Sequence, residues 1–122
     1  MIIDNNINIK DVQDIVEKGT KIDLDHTTRS AVEQCFDFLE SFSKDKVIYG
    51  INTGFGPMAQ WRIDDKHLKE LQYNIIRSHS TGAGEALPIV CVRSAMLARL
   101  MTFLQAHSGV NIQTCELLIE FL

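Results

Sequence analysis

Tyr49 opens a glycine loop, Tyr49-Gly50-Ile51-Asn52-Thr53-Gly54-Phe55-Gly56, and is the best-placed acid–base candidate in the chain. A phenol can accept a proton only as phenolate, so it serves as a base where helix N-termini or cations stabilise that form. Three of the next seven residues are glycines, which adopt backbone angles closed to other residues. Ordering such a segment costs conformational entropy, so it is expected to be mobile and to serve a site. Val47-Ile48-Tyr49 reads as a short strand or extended entry to it. The bland alternative is a plain turn with a solvent-facing tyrosine, and spacing alone favours it.

His79 is the second candidate. It follows Leu68, Leu71 and Ile75 on one helical face, which points it inward, with Ser78 beside it. The bland reading is a histidine at a helix C-terminus, where its ring caps open carbonyls and the dipole favours the imidazolium. His26, His67 and His107 have no ligand spacing with it, so no metal site is expected. Gly54-Phe55-Gly56-Pro57-Met58-Ala59 formally fits Gly-x-Gly-x-x-Ala. No helix is expected to open directly after it, and no Gly-Lys-Ser/Thr follows, so a nucleotide site is not indicated.

The elements that must position these residues are mainly helical. Asn8 can cap a short helix over residues 10 to 18, with Asp11 favouring its start and Gly19 its end. Lys21-Ile22-Asp23-Leu24 alternates like a short strand. Asp25 or Thr27 can cap a second helix to about Ser43, with Val32, Cys35, Phe36, Leu39 and Phe42 at helical spacing. Asp64 opens a third helix, which Gly82 and Gly84 break. Pro88 starts a fourth, running to about Ala106, where its missing N–H is harmless. This fourth helix is apolar almost all round and is expected to be buried on several sides. Arg93 and Arg99 interrupt it, read as snorkelling or structural pairing. Asn111 can cap a last helix. The fold class expected is mainly α, with short strands and the glycine-rich loop.

At 122 residues and 45% apolar content the chain suits one globular domain. Its net charge of −4, without a basic run, argues against a nucleic-acid surface. Cys35, Cys91 and Cys115 are scattered, which indicates neither a zinc ribbon nor a disulfide framework and fits a reducing cytoplasm. No apolar run reaches membrane-spanning length, and no signal peptide is evident.

The glycine loop resembles the tyrosine loop of the aromatic amino acid ammonia-lyases, the histidine, tyrosine and phenylalanine enzymes. Two further blocks extend the resemblance. Leu71-Gln72-Tyr73-Asn74-Ile75-Ile76-Arg77-Ser78-His79-Ser80-Thr81-Gly82-Ala83-Gly84 is similar to the family's Leu-Gln-x-Asn-Leu, Ser-His and Gly-x-Gly block, and Ser108-Gly109-Val110 to a third. The resemblance covers essentially the whole chain and is densest from Val47 to Val110. It implies that Tyr49 is the base removing the β-proton of an aromatic amino acid, and that Ser78 and His79 select the substrate. Ser-His is common in histidine-type enzymes and occurs in some bacterial tyrosine-type ones, whereas phenylalanine-type enzymes resemble Phe-Leu there. The implied activity is L-histidine to urocanate and ammonia first, and L-tyrosine to coumarate second, in a cytoplasmic homotetramer with shared sites.

In the family an internal Ala-Ser-Gly cyclises to the electrophile 4-methylideneimidazol-5-one, or MIO. No Ala-Ser-Gly occurs in these residues, and Ser108-Gly109 is preceded by His107. The electrophile is therefore expected to form outside this chain, which is expected to be the inactive N-terminal part of a longer enzyme. The last helix, stopping mid-pattern, supports the same expectation. Ile112, where relatives often place a proline, is a smaller departure. The rival is a free-standing helical binding module whose apolar helix faces take up a partner.

Overall fold

The computed structural model describes all residues except the side chain of Asp65. The expected fold class is borne out. The elements are β1 (Ile2–Ile3), α1 (Ile9–Val16), β2 (Asp23–Leu24), α2 (His26–Phe42), α3 (Asp65–His79), α4 (Ile89–Phe103) and α5 (Ile112–Phe121), with a single 3-10 turn at Gly56–Met58. They divide into two compact units. The first is Met1–Leu39 with Ala86–Leu122, and the second is Glu40–Glu85.

Local chemistry starts most of these helices. The Asn8 side chain accepts from the Asp11 N–H at 3.0 Å while the Asp11 carboxylate accepts from the Asn8 N–H at 3.1 Å. This reciprocal box satisfies two donors that a helix start leaves open. The Asp25 carboxylate accepts from the N–H groups of Thr27 and Thr28, which settles the choice of cap for α2. Bonds from the Thr28 side chain, then from the backbone N–H groups of Thr28 and Thr27, hold that carboxyl below the ordinary aspartate value. Asn111 caps α5 through the Gln113 N–H at 3.0 Å.

The first unit is built round an apolar core. Ile15, Val32, Leu97, Leu100, Leu104 and Cys115 are almost wholly buried, joined by Ile3, Val16, Ile22, Leu24 and Ile112. The α1 and α5 helices both pack on α4. Strands β1 and β2 pair in parallel, Ile2 with Asp23 and Ile3 with Leu24, and so deliver Ile3 and Leu24 to the core. The alternation at residues 21–24 forecasts β2, but β1 has only two residues and no pattern to read. Burial inside the core pushes the Cys115 thiol up from its ordinary value.

Two arginines tie helix ends together. Arg29 pairs with Glu116 across α2 and α5 at 2.5 Å. Arg93 donates to the carbonyls of Ile15 and Leu122, so its hydrogen bonds go to backbone oxygens rather than to the acidic side chain that structural pairing would supply. Arg99 lies over the Phe103 ring, 5.7 Å from its centroid.

Two expectations for α4 need correction. It ends at Phe103 rather than Ala106, because Ala106 takes a φ of +57° and breaks the helical path. Nor is it buried on several sides, since Ile89, Val90 and Val92 are exposed and only Leu97 and Leu100 are enclosed. An apolar pattern running all round carries no direction, so it could not say which face its neighbours would cover.

Candidate functional site

In the second unit the chain leaves α2, turns through the tyrosine loop and returns into α3. Val47 and Ile48 form no strand. The Ile48 carbonyl accepts from the Ile51 N–H at 3.1 Å and the Asn52 N–H at 3.2 Å. Tyr49 and Gly50 are therefore the central residues of a tight turn. Gly50 has a φ of +78°, which suits the second central position of a type II turn and favours glycine there. The turn lifts Tyr49 outward, leaving it 63% exposed. Its ring meets Phe55 edge to face, centroids 5.9 Å apart at 72°, a geometry that aromatic quadrupoles favour.

Two residues lie beneath the turn and hydrogen-bond to it. Asn52 is 5% exposed and Thr53 fully buried. The Asn52 side chain accepts from the Ile48 N–H at 2.8 Å and donates to the carbonyls of Ser43 and Lys46 at 3.1 and 2.7 Å. Thr53 Oγ1 accepts from the Gly50 N–H at 3.3 Å and donates to the Gly54 carbonyl at 2.9 Å. Gly54 is demanded by space, because a Cβ there would lie 2.6 Å from Met58 Cβ and 2.8 Å from the Met58 carbonyl oxygen. Gly56 begins the 3-10 turn, so no long helix opens after the glycines.

Sequence reasoning missed the return segment. Thr53 bridges Arg62 in antiparallel register. The Gly54 N–H donates to the Trp61 carbonyl, and the Ile63 N–H to the Asn52 carbonyl. The Arg62 guanidinium donates to the Lys44 carbonyl at 3.1 Å. The run Trp61-Arg62-Ile63 just after Pro57 and the glycines was the available signal for an extended return.

Ser78 and His79 close α3, capped at its start by the Asp64 side chain. Leu68, Leu71 and Ile75 are half-buried, but His79 is exposed, so it shares their face without pointing into a core. Its Nδ1 is 3.0 Å from the Ile75 carbonyl and 2.9 Å from Ser78 Oγ, and that hydroxyl donates to the same carbonyl at 3.0 Å. This is the capping role that a helix-terminal histidine can fill. A carbonyl can only accept, so the contact with Ile75 is a hydrogen bond in the tautomer that carries its hydrogen on Nδ1, and in that tautomer Nε2 is the acceptor nitrogen. Among the described residues, no hydrogen bond or ring contact joins Tyr49 to Ser78 or His79. A cleft of about 390 Å³ lies in the first unit, lined partly by Ile2, Asp4, Asn6, Asp11 and Asp25, and contains none of the expected site residues.

A family model described as aromatic amino acid lyase matches residues 7–122, and the chain belongs to that family. It is 36% identical to a histidine ammonia-lyase of Deinococcus radiodurans, over 100% of this chain and 24% of that protein. It is 37% identical to a tyrosine 2,3-aminomutase of Chondromyces crocatus, over 99% of this chain and 23% of that protein. The crystal structure of a tyrosine aminomutase from Streptomyces globisporus superimposes with a TM-score of 0.87 at 27% identity, covering 99% of this chain and 23% of that one. The chain thus spans about a quarter of the length of the curated relatives it matches.

Proposed function

We propose that these residues form the base-bearing and substrate-selecting part of a cytoplasmic, homotetrameric aromatic amino acid ammonia-lyase, histidine-type in preference to tyrosine-type. The carrying observation is the turn that holds the Tyr49 ring outward over a hydrogen-bonded floor. Family membership supports an enzyme over a free-standing helical module.

In the elimination, Tyr49 as phenolate takes the proton from the substrate's Cβ. The electrons of that C–H bond form the Cα–Cβ double bond, the Cα–N bond breaks, and ammonia leaves. The amine is a poor leaving group, and the family's MIO electrophile would supply its activation. The 122 residues contain no Ala-Ser-Gly and cannot build that group, so alone they should release no ammonia. The phenolate needs a neighbouring cation or helix N-terminus, which the rest of the longer enzyme would bring to this exposed ring.

His79 gives the substrate preference its chemistry. In the tautomer whose Nδ1–H is held by the Ile75 carbonyl, Nε2 can accept from an imidazole N–H or a phenol O–H. A phenylalanine ring offers no such donor. Converting Ser78-His79 to Phe-Leu in the longer enzyme should move the ratio of kcat/KM from histidine toward phenylalanine by about 10-fold or more. An unchanged ratio would show that the pair does not select.

Similarity to a tyrosine 2,3-aminomutase, at 37% identity, favours a second reading in which nitrogen is retained and moved to Cβ. Product analysis separates the two: unsaturated acid plus free ammonia for the lyase, a β-amino acid for the mutase.

A further inference from the structure

We propose that Asn52 is a positioning residue for Tyr49, a buried staple that fixes the turn from which the phenol is presented. The proposal rests on the reading of Tyr49 as the base. Asn52 grips Ile48, the residue just before Tyr49, from both sides. Its own N–H donates to the Ile48 carbonyl at 3.2 Å, and its side-chain oxygen accepts from the Ile48 N–H at 2.8 Å. One residue thus closes both polar groups of the backbone unit leading into the tyrosine.

The other end of the amide anchors the turn to the chain that precedes it. Nδ2 donates to the carbonyls of Ser43 and Lys46, at the exit from α2. Only one orientation of the amide satisfies all three contacts, with oxygen toward the N–H and nitrogen toward the two carbonyls. Asn52 is only 5% exposed, so its amide is held by these protein partners. The Ser43 carbonyl also accepts from the Lys46 N–H at 3.3 Å, which leaves the Ile48 N–H and the Lys46 carbonyl as the groups that lose most without the amide. Leucine is near in size but serves none of them, and aspartate serves only the first while ionised. Thr53 adds a second tie, from Gly50 to Gly54, and leaves Asn52 as the link to α2.

The test uses Asn52→Ala, Asn52→Asp and Tyr49→Phe in the longer lyase. The readouts are steady-state kinetics and the hydrogen-exchange protection of the peptide spanning residues 44 to 52. Asn52→Ala should lower protection and lower kcat by about 10²-fold, the scale of a misplaced reacting group, with KM little changed. Asn52→Asp keeps the acceptor for the Ile48 N–H but turns a carboxylate oxygen toward two carbonyls. Protonation restores a donor there, so its protection and its kcat relative to wild type should both recover as pH falls. That recovery also serves if the alanine variant fails to fold.

Wild-type protection in Asn52→Ala, or lost kcat with protection intact, would overturn the proposal. So would an Asn52→Asp variant that follows the wild-type pH profile. Normal turnover in Tyr49→Phe would sink the base assignment, and with it the link from staple to catalysis. Protection in the Asn52 variants would still report the staple itself.

Discussion

In the first unit the fully covered side chains are Ile15, Val32, Leu97, Leu100, Leu104 and Cys115; in the second, the covered side chains are Thr53 and Asn52. Every buried apolar residue among those described belongs to the first unit. The first unit is stabilised by removing hydrocarbon from water, which is non-directional and grows with area. The second relies on a directional hydrogen-bond network, in which each net contribution is small but each loss is costly. The difference separates two tasks. A packed core sets overall stability, whereas a polar floor fixes the angle of one turn and the ring it presents. The residues proposed for chemistry, Tyr49, Ser78 and His79, all belong to the second unit.

The largest stability effect should come from the core. Leu100→Ala removes a wholly buried side chain and should cost about 2–5 kcal/mol, read from the denaturant midpoint of the 122-residue chain. A loss below about 1 kcal/mol would mean that the contrast between units is wrong.

Thr53→Val keeps shape and removes the hydroxyl that links Gly50 to Gly54. It should cost about 1–3 kcal/mol, expressed as faster hydrogen exchange in residues 48 to 54. The denaturant midpoint should move far less, because the loop can open without the core. Equal loss of protection across Leu97 to Leu104 would show the units to be one cooperative structure.

The smallest effect belongs to a cap in the first unit. Asp25 has its carboxyl held below 3.8, the ordinary aspartate value, first by the Thr28 side chain. A folded-state value below the unfolded one gives stability that is complete above the unfolded value and lost as pH falls through the folded one. The melting temperature should therefore drop on acidification below about pH 4. Asn caps well but does not titrate there, so Asp25→Asn should flatten part of that drop. An identical acid limb in the variant would place the titration elsewhere.

Legibility in the sequence followed the same division. Helix starts were readable because caps act within a few residues: Asn8 with Asp11, Asp25 ahead of α2, Pro88 ahead of α4, Asn111 ahead of α5. What depended on distant partners was hidden. The exposed half of α4 and the pairing of Ile2–Ile3 with Asp23–Leu24 have no local signature, and the run Trp61-Arg62-Ile63 hints at an extended return without naming Thr53 as its partner. Glycine spacing located the loop, but composition does not show that Asn52 and Thr53 turn inward. His79 lies on the expected helical face, yet its ring turns back to the Ile75 carbonyl, a local bond that spacing could not separate from an inward one.

The central claim is that the second unit's polar floor presents Tyr49 as the base. Tyr49→Phe in the proposed longer lyase tests it most directly, with kcat and loop protection measured together. The described contact of Tyr49 is its ring packing on Phe55, which phenylalanine can keep. The expected result is a fall in kcat of about 10²-fold or more, with hydrogen exchange over residues 48 to 54 unchanged. Near-normal turnover with the same protected loop would contradict the account.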